Sequence, residues 1–245
     1  MNLSTVELRL ADDGLSAELV LPGGPLTAAT ARELANATVG LIEDRSLRAV
    51  VLRAGDRPFC SGPAEDLLPH ELRPDPASAV ASLRVPVIVA VDGACRGEGL
   101  EIALAADIIV ATPDSVFALD HILSGRLPVW GGTQRLPRAI GAGPATAHGL
   151  LGSDIDGPQA RSLGLVYQLS DNLDEAVAAL VGTLCARGPL ALEFTKEAVH
   201  RGSELPLRDG LRLEGDLNHQ LAATDDRAEG LAAFFAKRPP DFGGR

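Results

Sequence analysis

The stretch Pro86-Val87-Ile88-Val89-Ala90-Val91-Asp92-Gly93-Ala94-Cys95-Arg96-Gly97-Glu98-Gly99-Leu100-Glu101-Ile102-Ala103-Leu104-Ala105-Ala106-Asp107-Ile108-Ile109-Val110-Ala111 decides the fold. Val87–Val91 is a short, continuous apolar run that reads as a buried strand and stops at Asp92-Gly93. Gly99–Ala106 is apolar almost throughout and reads as a buried helix. Ile108–Ala111 follows at once as a second buried strand. Strand, glycine-rich turn, buried helix and strand together are the grammar of a parallel, layered α/β fold.

Outward from that centre the pattern continues. Val6–Leu10 and Ser16–Leu21 read as strands about the turn Asp12-Asp13-Gly14, and Leu26–Glu43 carries helical periodicity with Thr27 or Thr30 as N-cap. Leu47–Leu52 is a third apolar strand, and Asp66–Ala81 is a proline-rich, acidic surface loop leading into a short helix. Ser115–Ile122 reads as a strand. Gly131–Ile140, Pro144–Leu151 and Gln159–Leu163 read as helices broken by glycines, Leu165–Leu169 as a late strand, and Leu173–Ala236 as essentially helical. These segments form one domain, with a core over 1–188 and a C-terminal helical region over 189–245.

A chain of 245 residues with 46% apolar side chains is long enough to bury a sizeable core. Its net charge of −11 argues against nucleic-acid partners, whose phosphates need a basic face. The three cysteines, Cys60, Cys95 and Cys185, lie far apart without metal-ligand spacing and fit a reducing, cytoplasmic setting. Met1–Glu7 has neither the basic nor the apolar region of a leader, and no apolar run is long enough to cross a membrane.

Chemistry concentrates in Gly93–Glu101. The first N–H groups of a helix lack internal partners and carry the positive end of its dipole, so an oxygen that becomes negative is stabilised there. One such donor is worth about 3–4 kcal/mol in a transition state. Glu98 and Glu101 stand three residues apart, roughly on one helix face. A carboxylate on so apolar a helix is expensive unless partnered, which marks Glu101 as an acid/base candidate beside an ion-paired structural role. His121, next to Asp120, titrates near neutrality and is a candidate general acid or base or, alternatively, a locally hydrogen-bonded histidine. Glu98 reads equally as a catalytic group or as an exposed side chain at a helix start. Glu65 and Asp66 read as solvated loop acids, and His70, His148, His200 and His219 as structural or solvated.

Pro86–Gly93, the glycine-rich turn, Ala106–Ala111 and Gly131-Gly132-Thr133-Gln134-Arg135-Leu136 together resemble the enoyl-CoA hydratase/isomerase (crotonase) family. Ala160–Val166, Thr224–Gly230 and Phe234–Arg238 resemble its later segments in the same order, whereas Leu21–Thr30 departs from it. The resemblance implies a crotonase-like α/β spiral of ββα units with a C-terminal helical trimerisation region, assembled as a homotrimer or hexamer. It implies an acyl-CoA substrate, with no cofactor beyond the coenzyme A of that substrate. Two backbone N–H groups would hold the thioester oxygen. One falls on Glu98, where glycine is usual. The other falls on Pro63, which has no N–H, so Gly62 or Ala64 would have to replace it. Of the two glutamates that handle water in such hydratases, one position matches Glu101 and the other holds His121. Ser61, Pro63, Trp130 and Lys237 are candidate substrate contacts, Trp130 as a wall of the acyl pocket or as simple packing. The expected reaction is hydration, dehydration or double-bond isomerisation of a 2-enoyl-CoA. A histidine-assisted hydrolase or lyase of C–C bonds and a non-catalytic acyl-CoA-binding scaffold are the alternatives.

Overall fold

The computed structural model describes residues 4–245; Met1–Leu3, part of the segment read above for a leader, lie outside the described residues. A six-stranded sheet runs β1 (Glu7–Leu10), β2 (Ser16–Leu21), β3 (Ala49–Ala54), β4 (Val87–Val91), β6 (Ile108–Ala111), β9 (Gln168–Leu169) in spatial order. The β1–β2 pair is an antiparallel hairpin and the remaining pairs are parallel. A second sheet joins β5 (Ala94–Arg96), β7 (Val116–Ala118) and β8 (Ile155–Asp156). The chain passes from the first sheet to the second at Gly93, whose φ of 75° favours glycine. That change of sheet begins each turn of the spiral.

The central strands are buried on both faces and alternate between two cores. Val50, Leu52, Val87, Val89 and Val91 point into the larger core, toward α1 (Ala28–Ile42), α2 (Pro76–Ala81) and α3 (Glu98–Ala103). Val51, Ile88, Ala90 and Val110 point the other way, onto Ala176 and Val177 of α7 (Leu173–Cys185). Thr27 is the N-cap of α1, its hydroxyl accepting from the N–H of Thr30.

Three expectations need correction. The helix read as Gly99–Ala106 ends at Ala103, with its C-cap at Leu104, so that the chain can turn back into β6. The strand read over Ser115–Ile122 stops at Ala118 and gives way to a 3-10 turn, Asp120–Ser124, that carries His121. The late strand is only Gln168–Leu169. β5 and β8 are too short for a periodic signal and were not foreseen.

The glycine-broken helices are α4 (Gly132–Ile140), α5 (Ala142–Leu151) and α6 (Gly157–Leu163). Beyond α7 come α8 (Pro189–Gly202), α9 (Leu207–Ala222) and α10 (Asp225–Ala236). α8 packs mainly on α9, and apolar side chains such as Leu207, Leu211, Phe234 and Phe235 remain exposed. α8 is clamped to the sheet by Lys196, which reaches the carbonyl of Val85 at 2.9 Å and the carboxylate of Asp107 at 2.7 Å.

Candidate active site

The site is assembled where α3 meets a loop and a 3-10 turn. α3 starts from Gly97, at φ 52° and ψ −125°, a conformation that only glycine adopts easily. A Cβ at Gly99 would stand 2.3 Å from the Cβ of Cys60, so the missing side chain lets the Phe59–Ala64 loop press directly on the helix. That loop is held by a parallel bridge from Cys60 to Cys95 and another from Leu26 to Pro63. Burial pushes the Cys60 thiol up to about 11, so it stays protonated; it donates to the Gly62 carbonyl at 3.6 Å. The thiol is packing, not a nucleophile.

Glu101 is fully buried in the middle of α3. Its Oε1 accepts the N–H groups of Trp130 and Gly132, both at 2.8 Å. Its Oε2 is equally buried and has no hydrogen-bond partner among the described residues. One oxygen is thus pinned by two amides and the other left bare. The pinning loop is itself braced: Arg135 passes over Gly131 and donates to the Trp130 carbonyl at 2.6 Å. A Cβ at Gly132 would come within 3.1 Å of the Glu101 Cγ, so glycine there admits the carboxylate.

His121 is brought to the bare oxygen. Its Nε2 lies 3.3 Å from Glu101 Oε2 and 3.6 Å from Glu98 Oε1, and neither ring nitrogen has hydrogen-bond geometry to any described group. Its neighbour Asp120 faces away, toward Arg96 at 3.3 Å. The reading of Glu98 as an exposed helix start is corrected: its side chain is wholly buried, and Oε1 accepts from Arg126 Nη1 at 2.6 Å.

Backbone donors sit on either side of this cluster. Among the described residues, no carbonyl takes the N–H of Glu98 or that of Gly62, though the Gly62 amide lies within reach of the Cys60 sulfur. Ala64 is ruled out as a donor, because its N–H is given to the Leu26 carbonyl at 2.9 Å. The Cδ of Pro63 lies 3.6 Å from where a Gly97 Cβ would be, so the ring stands against the start of α3. Ser61 is exposed and donates its N–H to the Gly24 carbonyl at 3.0 Å.

Two other candidates fall elsewhere. The indole of Trp130 is buried and donates to the Pro69 carbonyl at 3.0 Å, which braces the loop that pins Glu101. Lys237 caps α10 with an exposed side chain, and α10 packs on α9, not near α3. Asp66 accepts the N–H of Ala28 at the start of α1, and His200 belongs to the Asp107 clamp.

A groove of about 220 Å³ lies beside the cluster, bounded by Leu119, Ile122, Arg126, Leu127, Leu136 and Leu150 among others. Arg126 is the one charged side chain on its lining among the described residues, and Gly132 and Arg126 each touch a carboxylate of the cluster. Sequence reading missed Arg126, because an arginine in a loop is ordinary. It also missed the Trp130 and Gly132 amides, which residue type does not report; the glycines of Gly131-Gly132 were the only available signal.

The result is a layered α/β spiral protein whose buried Glu101–His121 pair lies near main-chain amides that no carbonyl among the described residues takes, and beside an apolar groove. Its sequence matches the family description Enoyl-CoA hydratase/isomerase over residues 24–245. It is 36% identical over 230 residues to the 2,3-dehydroadipyl-CoA hydratase of Escherichia coli (strain K12), covering 90% of each chain. It is 35% identical over 229 residues to the mitochondrial methylglutaconyl-CoA hydratase of Mus musculus, covering 86% of this chain and 73% of that one. The fold superposes on the crystal structure of an enoyl-CoA hydratase from Bacillus anthracis with a TM-score of 0.90 at 28% identity, over 99% of this chain and 100% of the other. The chain belongs to the enoyl-CoA hydratase/isomerase, or crotonase, family.

Proposed function

We propose that the protein hydrates a 2-enoyl-CoA whose acyl group is hydrocarbon, with Glu101 and His121 as the proton-transfer pair. The observation that carries this reading is the Glu101 carboxylate, with Oε1 fixed by two amides and Oε2 bare at 3.3 Å from His121 Nε2. Glu101 Oε2 takes a proton from water while the water oxygen bonds to C3. The C2=C3 electron pair moves toward the thioester oxygen, giving an enolate held by the N–H groups of Glu98 and Gly62. His121 Nε2 delivers a proton to C2, the enolate collapses, and the proton on Glu101 crosses to His121 to restore the pair. Dehydration is the reverse. Coenzyme A enters as part of the substrate, and no other cofactor takes part in these steps.

The groove supports the choice of acyl group. Its walls are aliphatic, and each buried methylene contributes about 0.8 kcal/mol. An acyl group ending in a carboxylate would have to draw Arg126 away from Glu98. Arg126 is 38% exposed, but the Glu98 it would leave is wholly buried, and a buried carboxylate without its partner is costly. Exposed Leu207, Leu211, Phe234 and Phe235 support assembly of the chain into a trimer or hexamer.

The test is the loss of conjugated-thioester absorbance when wild-type protein meets an unbranched 2-enoyl-CoA. Turnover that disappears in Glu101→Gln supports the proposal. Release of free acid from a β-diketone, with no hydration, would move the chain to C–C bond hydrolysis. Tight acyl-CoA binding with no turnover of either compound would leave a binding scaffold.

A further inference from the structure

The proposed reaction uses the amide of Glu98 and leaves its carboxylate without a task. That carboxylate is wholly buried, it stands where the family usually has glycine, and its Oε2 has no partner. Together with the two unpartnered nitrogens of His121 and the bare Oε2 of Glu101, it forms a compact group of buried polar atoms with no internal hydrogen bonds. Groups of that kind are rare in folded proteins and ask for a reason.

We propose that the Glu98 carboxylate is a positioning residue, which holds the proton-bearing Nε2 of His121 between itself and Glu101, and that Arg126 locks Glu98 in this role. This rests on the hydration reading above and deepens it. Glu98 and Glu101 lie on one face of α3 and present Oε1 and Oε2 to the same imidazole nitrogen, at 3.6 and 3.3 Å. Arg126 anchors Glu98 at 2.6 Å from the rim of the groove, so its carboxylate cannot swing into the space the acyl group needs. With a proton on His121, the charges of Arg126, His121, Glu98 and Glu101 sum to zero. Without that proton a net negative charge is left among buried side chains, which is costly. Glu98 therefore favours the loaded state of His121, the state that donates to C2. It takes over part of the work of the glutamate that His121 replaces. Arg135 lies within electrostatic reach of both Asp75 and Glu101, and Asp75 offsets its charge. Asp120 is paired with Arg96, which also holds Asp154 at 2.7 Å. The Cys60 thiol, within electrostatic reach of Glu98, stays protonated.

The carboxylate can be removed while the amide is kept. In Glu98→Gln and Glu98→Gly we expect KM within about threefold of wild type, kcat lower by about 10²-fold, and the alkaline limb of the pH–rate profile moved to lower pH. Glu98→Asp should recover part of kcat, and Arg126→Met should lower kcat by freeing Glu98 from its place beside His121. Glu98→Gly puts no new polar side chain in the buried space, so it guards against a folding defect in Glu98→Gln. Unchanged kcat and an unchanged pH profile in a folded Glu98→Gly would overturn the inference. A second readout is independent of turnover: the imidazole nitrogen resonances of His121 in the unliganded protein, assigned with His121→Ala. They should move toward the neutral ring in Glu98→Gln. If wild type hydrates no enoyl-CoA, the function proposed above fails, yet these resonances still decide the present point, and identical spectra in wild type and Glu98→Gln would sink it.

Discussion

Two clusters in this molecule contain a histidine, a cationic side chain and one or more carboxylates, and they differ in one respect. At the foot of α8, Asp107 accepts from the Val87 amide, Lys196 and His200, each at 2.7 Å, and Lys196 also donates to the Val85 carbonyl. At α3, Glu98, Glu101 and His121 are more deeply buried and leave four side-chain atoms without hydrogen bonds. The first cluster is satisfied and joins two pieces of the fold. The second is held in place by Arg126 and by the amides of Trp130 and Gly132, yet keeps four side-chain atoms bare among the described residues. Burial alone does not separate a clamp from a site; what remains unbonded does.

The contrast is broken most severely at Glu101. Glu101→Gln keeps an oxygen for the two amides but cannot take a proton, so kcat/KM for the enoyl-CoA should fall by about 10³-fold. Thermal stability should hold or rise, because a buried charge is removed with its anchoring bonds intact. A fall in melting temperature with activity kept would make Glu101 a clamp like Asp107.

Asp107→Asn tests the other side. Burial works against the Asp107 carboxylate, but His200, Lys196 and the Val87 amide outweigh it and hold the group below its ordinary range. Burial draws Lys196 below its own ordinary range despite the pull of Asp107, so the carboxylate with its three donors, not the ammonium, is the stabilising partner. A carboxyl lowered by folding adds stability above its unfolded value, near pH 4, and loses it as pH falls through the lowered value. Asp107→Asn should therefore cost about 1–3 kcal/mol at neutral pH, and chemical unfolding curves of variant and wild type should converge in acid. kcat should stay within about twofold. A large loss of kcat with α8 still docked would erase the distinction.

How each cluster could be read from sequence follows from the same difference. The Pro86–Ala111 stretch showed β4, α3 and β6 because continuous apolar runs between glycines have few other solutions. It showed Glu101 because an acid on an apolar helix is conspicuous. His121 was visible as a residue type but misplaced on a strand, since a 3-10 turn of five residues has no period of its own. The buried fate of Glu98 was hidden because its partner Arg126 lies 28 residues away in a loop, and nothing local links them. Asp107 gave no signal: its partners Lys196 and His200 come from α8, and only tertiary packing brings them together.

The loop arm of the site offers the finest test, because there a donor is absent by chemistry and not by geometry. Leu26 donates to the Gly62 carbonyl and accepts from Ala64, both at 2.9 Å, so the nitrogen of the intervening Pro63 faces away from Leu26, as alternate residues of a bridged strand do. It faces Gly97 and the start of α3, where its Cδ stands in place of a hydrogen. Pro63→Ala would keep both Leu26 bonds and direct a new N–H toward the oxygen that the proposed reaction places on the amides of Glu98 and, one residue upstream, Gly62. A lost donor of this kind typically costs about 10²–10³-fold in kcat. With Gly62 already contributing, the gain from restoring one should be smaller, about tenfold in kcat, equivalent to ~1.4 kcal/mol of barrier. Single-turnover rates with an enoyl-CoA would measure it. No gain, in a variant that still binds the thioester, would mean that Gly62 and Glu98 already complete the hole and that the proline is a neutral exchange.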